Sequence, residues 1–295
     1  MTYRLERGEP LDAGLRRIAR EEVERVIASL RDDADIQEGV HDARERLKRV
    51  RAVLRLLRDG LAEDGYAPEH AFYRDLGRDL SELRDAGVAI DTLEGLRPHA
   101  PAAAGPAFPE VRDRLSTRLA ETARRHLDEE RRHERVTAAL EGSVDGIAGW
   151  PIGSDRFETI APGLRRVYRR GRRALASAYA GPGHEPLHEW RKRVKDLWYQ
   201  VRILEGVWPP VMGGLSDSLH GISSALGDAT DLSVLERRIR EMDPPDAARR
   251  ALLETLAARR AELRELAQPL GLRIWHESPG RFVRRVGAYW DAWRA

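Results

Sequence analysis

The second half of this chain restates the first, residue type by residue type and in the same order. Leu15-Arg16-Arg17-Ile18, with Arg20, matches Leu164-Arg165-Arg166-Val167, with Arg169. His41, Arg44, Arg46, Lys48, Arg55 and Leu57 return 147 residues later as His188, Arg191, Arg193, Lys195, Arg202 and Leu204. Leu80, Asp85 and Val88 return as Leu226, Asp231 and Val234. Trp150, Arg156 and Phe157 return as Trp275, Arg281 and Phe282. Charged positions match as well as apolar ones, and the offset drifts from 149 down to 125 residues, which fits a duplication and not a solenoid period. The expectation is a pair of related repeats, about 10–158 and about 160–293.

Both repeats read as helix. Ala, Leu, Arg and Glu dominate, aromatic residues make up 6%, and no run alternates apolar and polar as a half-buried strand would. Helices or broken helices are expected over 10–30, 35–59, 68–96, 107–148, 161–180, 186–206, 209–241, 245–270 and 279–293. Gly and Pro punctuate them, among others at Pro209-Pro210 and Ser278-Pro279-Gly280. The stretch 98–109, PHAPAAAGPAFP, is expected to be a flexible loop. The fold class is all-α.

Having no cysteine rules out a disulfide framework, a thiolate zinc site and a cysteine nucleophile. No apolar run approaches the ~20 residues of a membrane span, and MTYRLERGEPLD lacks the apolar stretch of a secretory signal. A soluble cytoplasmic protein is expected.

Lys and Arg number 51 against 49 Asp and Glu, so the net charge of +2 says little about partners. Of those 51, 48 are Arg, and Asn is absent, a bias that fits a GC-rich genome and is no evidence of function. The three lysines, Lys48, Lys192 and Lys195, all fall in the two matched segments.

In 40–58, at about 100° per residue, Val40, Ala43, Leu47, Val50, Leu54 and Leu57 cover one arc, an ordinary buried face. His41, Arg44, Lys48, Arg51, Arg55 and Arg58 cover the adjacent arc, while the acids Asp42 and Glu45 are expected to point elsewhere. Such a line of cations repels itself unless a polyanion neutralises it. The second copy places His188, Arg191, Lys195 and Arg202 on the same arc, with Trp198 where Arg51 stood and Lys192 just outside. A stripe beside the buried arc points along a groove between helices, and this favours an anion site over a merely solvated face. The preceding helices add Arg16, Arg17 and Arg20, and Arg165, Arg166, Arg169, Arg170, Arg172 and Arg173. His41 and His188 either cap or pack neutral, or donate to an anion, best when protonated.

Other motifs mislead. His184-Glu185-Pro186-Leu187-His188 spells a zinc-protease signature, but Pro186 suits a first helical turn and leaves His184 in the loop before it. His41-Asp42 resembles a phosphohydrolase pair without the upstream ligand. No phosphate-binding loop of the G-x-x-x-x-G-K type occurs, and no clustered carboxylates suggest a two-metal site.

V-H-D-A-R-E-R-L-K-R-V-R (40–51) and L-H-E-W-R-K-R-V-K-D-L-W-Y (187–199) resemble the two signature helices of the CHAD family. L-S-E-L-R-D-A-G-V (80–88) and L-G-D-A-T-D-L-S-V-L (226–235) are similar to the stretches that follow them, and the likeness covers about 10–293. The resemblance implies one stand-alone CHAD domain over 1–295, built as two pseudo-symmetric four-helix bundles around a basic central channel that binds inorganic polyphosphate. Some relatives sit on polyphosphate granules. Carried over by position, the binding residues are His41, Arg44, Lys48 and Arg51 in the first signature and His188, Arg191, Lys192 and Lys195 in the second. Arg17, Arg20, Arg166 and Arg169 join them from the opening helices. Arg55 and Arg202 extend the stripes. Asp85 and Asp231 are expected to cap or fix a turn. The reading is a non-enzymatic polyphosphate binder without cofactor or metal. Its rivals are a nucleic-acid-binding protein, with Trp190, Trp198 and Tyr199 as stacking rings, and a metal-dependent phosphohydrolase using Asp85, Asp228 and Asp231.

Overall fold

The structure, a computed structural model, describes residues 3–32, 36–61, 65–181, 185–242 and 246–295. Its first half holds α1 (Leu11–Arg31), α2 (Ile36–Leu57), α3 (Tyr66–Asp79), α4 (Ser81–Leu96), α5 (Ala107–Ala123), α6 (Arg132–Glu141) and α7 (Val144–Ala148). Its second half holds α8 (Ala161–Ala178), α9 (Glu185–Ile203), α10 (Pro209–Arg240), α11 (Ala247–Ile274) and α12 (Pro279–Arg294). The architecture is all-α, and among the described residues the sole β-type pairing is an isolated bridge between Leu61 and Ile152.

Local chemistry sets the helix ends. Pro209 and Pro210 open α10 and Pro279 opens α12, where a missing N–H costs nothing. The Asp246 side chain accepts from Arg249 N at 2.8 Å to cap α11. The expected helix over 68–96 breaks at Leu80 (φ −90°, ψ 0°) into α3 and α4, whereas its counterpart α10 runs 32 residues unbroken. The expected 107–148 helix is broken too: a π-helical turn over Arg124–Glu129 and a left-handed Arg131 (φ 46°) separate α5 from α6. The stretch expected to be a flexible loop forms two 3-10 turns, the second of which packs against α11 with Ala104 fully buried.

The apolar arc of α2 is buried as its spacing requires: Val40, Ala43, Leu47, Val50, Leu54 and Leu57 are each at most 1% exposed. This helix packs against α1, α3, α8 and α9. At the crossing with α8 a Cβ on Gly163 would lie 2.1 Å from the Leu56 carbonyl oxygen, so only glycine lets the two backbones approach.

The hydrophobic interior forms two cores, and each draws on both sequence halves. The larger joins α1 and α2 to α8, α9, the start of α10 and α12, through Leu15, Leu47, Leu164, Trp190, Leu219 and Phe282 among others. The smaller joins α4 and α5 to the last turns of α10 and the first part of α11, through Leu93, Phe108, Leu235 and Leu256. Ala225 of α10 touches both.

Candidate functional site

Four helices, two from each half, enclose a cavity of about 380 Å³. Arg44, Glu45 and Lys48 reach it from α2, Arg84, Asp85 and Val88 from α4, His188, Arg191 and Lys192 from α9, and Thr230, Asp231 and Val234 from α10. Three pairs that match between the halves, Arg44 and Arg191, Asp85 and Asp231, Val88 and Val234, therefore line one space. The Arg191 guanidinium lies against Gly227 of α10.

Glu45 corrects the sequence reading. It does not point away. Its Oε1 accepts from Lys195 Nζ at 2.7 Å and lies 3.4 Å from Lys48 Nζ, while its Oε2 accepts from the Tyr199 hydroxyl. Burial alone would raise the pKa of this carboxyl, but Lys48, Lys195 and the Tyr199 bond outweigh it and hold the group far below the usual range. Burial also acts on the cations. It lowers Lys48 to about 7, helped by Lys195, Arg44 and Arg191 and opposed by Glu45. It lowers Lys195 in the same way, with Arg191 and Arg84 adding to the effect and Glu45 again opposing it. Arg44 is lowered chiefly by burial. These side chains crowd a partly desolvated space in which an added anion would relieve their mutual repulsion.

Asp85 and Asp231 sit inside α4 and α10, and neither caps a helix. Arg84 Nη1 lies 3.8 Å from one and 3.7 Å from the other, so both acids hold this arginine in the cavity wall. The repeat match missed Arg84 because its counterpart is Thr230. It missed Glu45 because its counterpart is Lys192.

Several expected site residues lie elsewhere. Arg17 is turned to the N-terminal segment, bonded to Glu9 at 2.6 Å and to the Arg4 carbonyl, because α1 packs with that face outward. Arg20 is half-buried on α1, outside the cavity wall. Arg166 makes a two-pronged pair with Asp59 at 2.6 and 2.5 Å, and Arg169 is exposed on α8. Arg55 pairs with Asp196 at 3.1 Å. Arg202 stacks over the Tyr3 and Trp198 rings at 5.4 and 5.5 Å. His41 is half-buried near the start of α2, outside the cavity wall, whereas His188 is part of that wall. Arg51 lines a second cavity, against α3.

The rival readings find less. Trp190 and Tyr199 are at most 1% exposed, and Trp198 is stacked on Tyr199 and His220. Among the described residues no three His, Asp or Glu side chains gather into a metal-holding set. Pro186 stands in the first turn of α9, and His184 lies outside the described residues. No described helix is long and apolar enough to cross a membrane.

The fold is similar to two solved structures. One is the CHAD domain from the plant Ricinus communis, with TM-score 0.68 and 18% identity, covering 94% of this chain and 95% of that one. The other is PptA from Streptomyces chartreusis, with TM-score 0.65 and 16% identity, covering 91% of this chain and all of that one. No curated protein matches the sequence. The model of the CHAD domain matches residues 11–240, most of the chain, and this protein belongs to the CHAD domain family.

Proposed function

We propose that this protein binds inorganic polyphosphate in the cavity between its two halves, holding a linear phosphate chain without cleaving it. The observation that carries the reading is the convergence of cations from both halves on one space: the matched Arg44 and Arg191 meet there, with Lys48 and Arg84 from the first half and Lys192 from the second. Arg supplies forked, charge-assisted bonds to phosphate oxygens and Lys a mobile point charge. The wall's carboxylates are already engaged, Asp85 and Asp231 by Arg84 and Glu45 by the two lysines. A phosphate chain offers what these cations lack, a continuous run of oxyanions. In the cell such a binder would work in the cytoplasm, on polyphosphate granules where they form.

Nucleic acid is the competing polyanion, and the rings it would stack on are buried or already stacked. The deciding experiment titrates long-chain polyphosphate at several salt concentrations against wild type and Lys192→Glu, whose side chain is 52% exposed and can change without disturbing the core. Wild type should bind with a steep salt dependence, and the variant should bind more weakly with a log–log slope smaller by about one. No binding at low salt, or displacement by nucleic acid at equal phosphate concentration, would overturn the reading. So would phosphate release in magnesium or manganese.

A further inference from the structure

The cavity against α3 forms a second stretch of cationic wall, in which α3 adds two arginines that neither the repeat match nor the family likeness assigns. It measures about 260 Å³, and Arg44, Lys48 and Arg51 of α2 line it together with Arg74 and Arg78 of α3, with no carboxylate in the wall. Arg44 and Lys48 line the central cavity as well, so the two spaces share a wall. The Nε atoms of Arg44 and Arg51 are buried without a hydrogen-bond acceptor among the described residues. Nearby His70 reports the local field: burial first, then Arg55, Arg51, Arg74 and Arg58, push its pKa down to about 3. Carboxylates act on these cations only from outside the cavity wall: Glu45 on Lys48 and Arg44, Asp85 on Arg44, Asp196 on Arg51, and Asp75 on the two α3 arginines. Asp75 takes two 2.9 Å bonds from Arg74 and lies 3.6 Å from Arg78, but it is half exposed. An exposed pair of this kind competes weakly with a polyanion.

Among the described residues, the second half carries no such wall at the matched positions. Where Arg51 and Arg74 stand in the first, it carries Trp198 and His220, whose rings stack at 4.7 Å. The Trp198 indole is further fixed by donating to Ser216 Oγ at 3.2 Å.

We propose that the groove is one-sided: past the central cavity the phosphate chain continues over α3, with its oxyanions on Arg51, Arg74 and Arg78, and has no equivalent path over the Trp198–His220 side. The inference rests on the polyphosphate reading above. It is tested with long-chain polyphosphate over a salt series on wild type, Arg74→Ser/Arg78→Ser and His220→Ser. The α3 side chains are 43% and 72% exposed, so the double variant should keep its fold, which circular dichroism checks. The expected result is binding about tenfold weaker for the double variant, with a log–log salt slope smaller by one to two, roughly one contact per arginine removed. His220→Ser should bind as wild type does. Wild-type affinity and slope in the double variant, or an equal loss in His220→Ser, would overturn the one-sided groove. Failure of the underlying reading looks different, since wild type itself would then not bind.

Discussion

Glu45 and Lys48 are three residues apart on α2, yet their roles in the cavity differ. Glu45 is a built-in counter-anion that holds Lys195 and Lys48 when no ligand is present. Lys48 remains the group most easily discharged, lowered to about 7 by burial and its cationic neighbours. A phosphate oxyanion in the cavity favours the ammonium form and raises that pKa, so binding above pH 7 takes up a proton. Affinity should therefore fall as pH rises through 7. Calorimetry at pH 8 in buffers of different ionisation enthalpy should show uptake approaching one proton in wild type and much less in Lys48→Met. Equal uptake in both would mean that another group titrates. The same shift has a stability consequence of fixed sign. Between about 7 and 10.5 the unfolded chain holds a proton on Lys48 that the folded chain lacks, so stability contributed here rises with pH across that window.

The stripes on α2 and α9 were legible in the sequence because helical periodicity fixes angles around an axis. The buried arc of α2 follows from its spacing, and the cations follow beside it. Periodicity does not say which helix lies next to a given angle. Glu45 falls about 40° from the edge of the stripe, and only the approach of α9 makes that edge the centre of the site. Arg74 and Arg78 escaped for a different reason, since the matched residue types jump from Leu57 to Leu80 and the two arginines align with His220 and Ser224, which repeat no arginine. The opening-helix arginines show the converse: matched in both halves, Arg17 and Arg166 nonetheless find carboxylates, Glu9 and Asp59, outside the cavity. The contact between α2 and α8 gives a prediction at this scale. Gly163→Ala should destabilise the protein, by about 1–3 kcal/mol from overpacking against the Leu56 carbonyl. Helix propensity alone would stabilise by up to ~1 kcal/mol, so the sign of the change in urea midpoint is diagnostic. An unchanged or raised midpoint would mean that the helices separate at no cost.

Across the whole molecule, a sequence whose two halves match suggests two units that could stand alone, yet the packing argues otherwise. The smaller core takes Leu93 and Phe108 from one half and Leu235 and Leu256 from the other. The larger core joins Leu47 of α2 to Trp190 of α9 in the same way. A cut near residue 159 would therefore open both cores at once and expose apolar surface on each fragment, at a cost of about 25 cal/mol per Å². The central cavity would be split as well, since α2 and α4 supply one side and α9 and α10 the other. We read residues 1–295 as one cooperative domain for this reason. Thermal unfolding followed by circular dichroism and by tryptophan fluorescence should give one coincident transition. Fragments 1–158 and 160–295, produced separately, should neither unfold cooperatively nor bind polyphosphate, and mixing them should restore both properties. A cooperative melt from either fragment alone would instead mean that each repeat closes its own core, with the shared packing a later addition to two self-sufficient bundles.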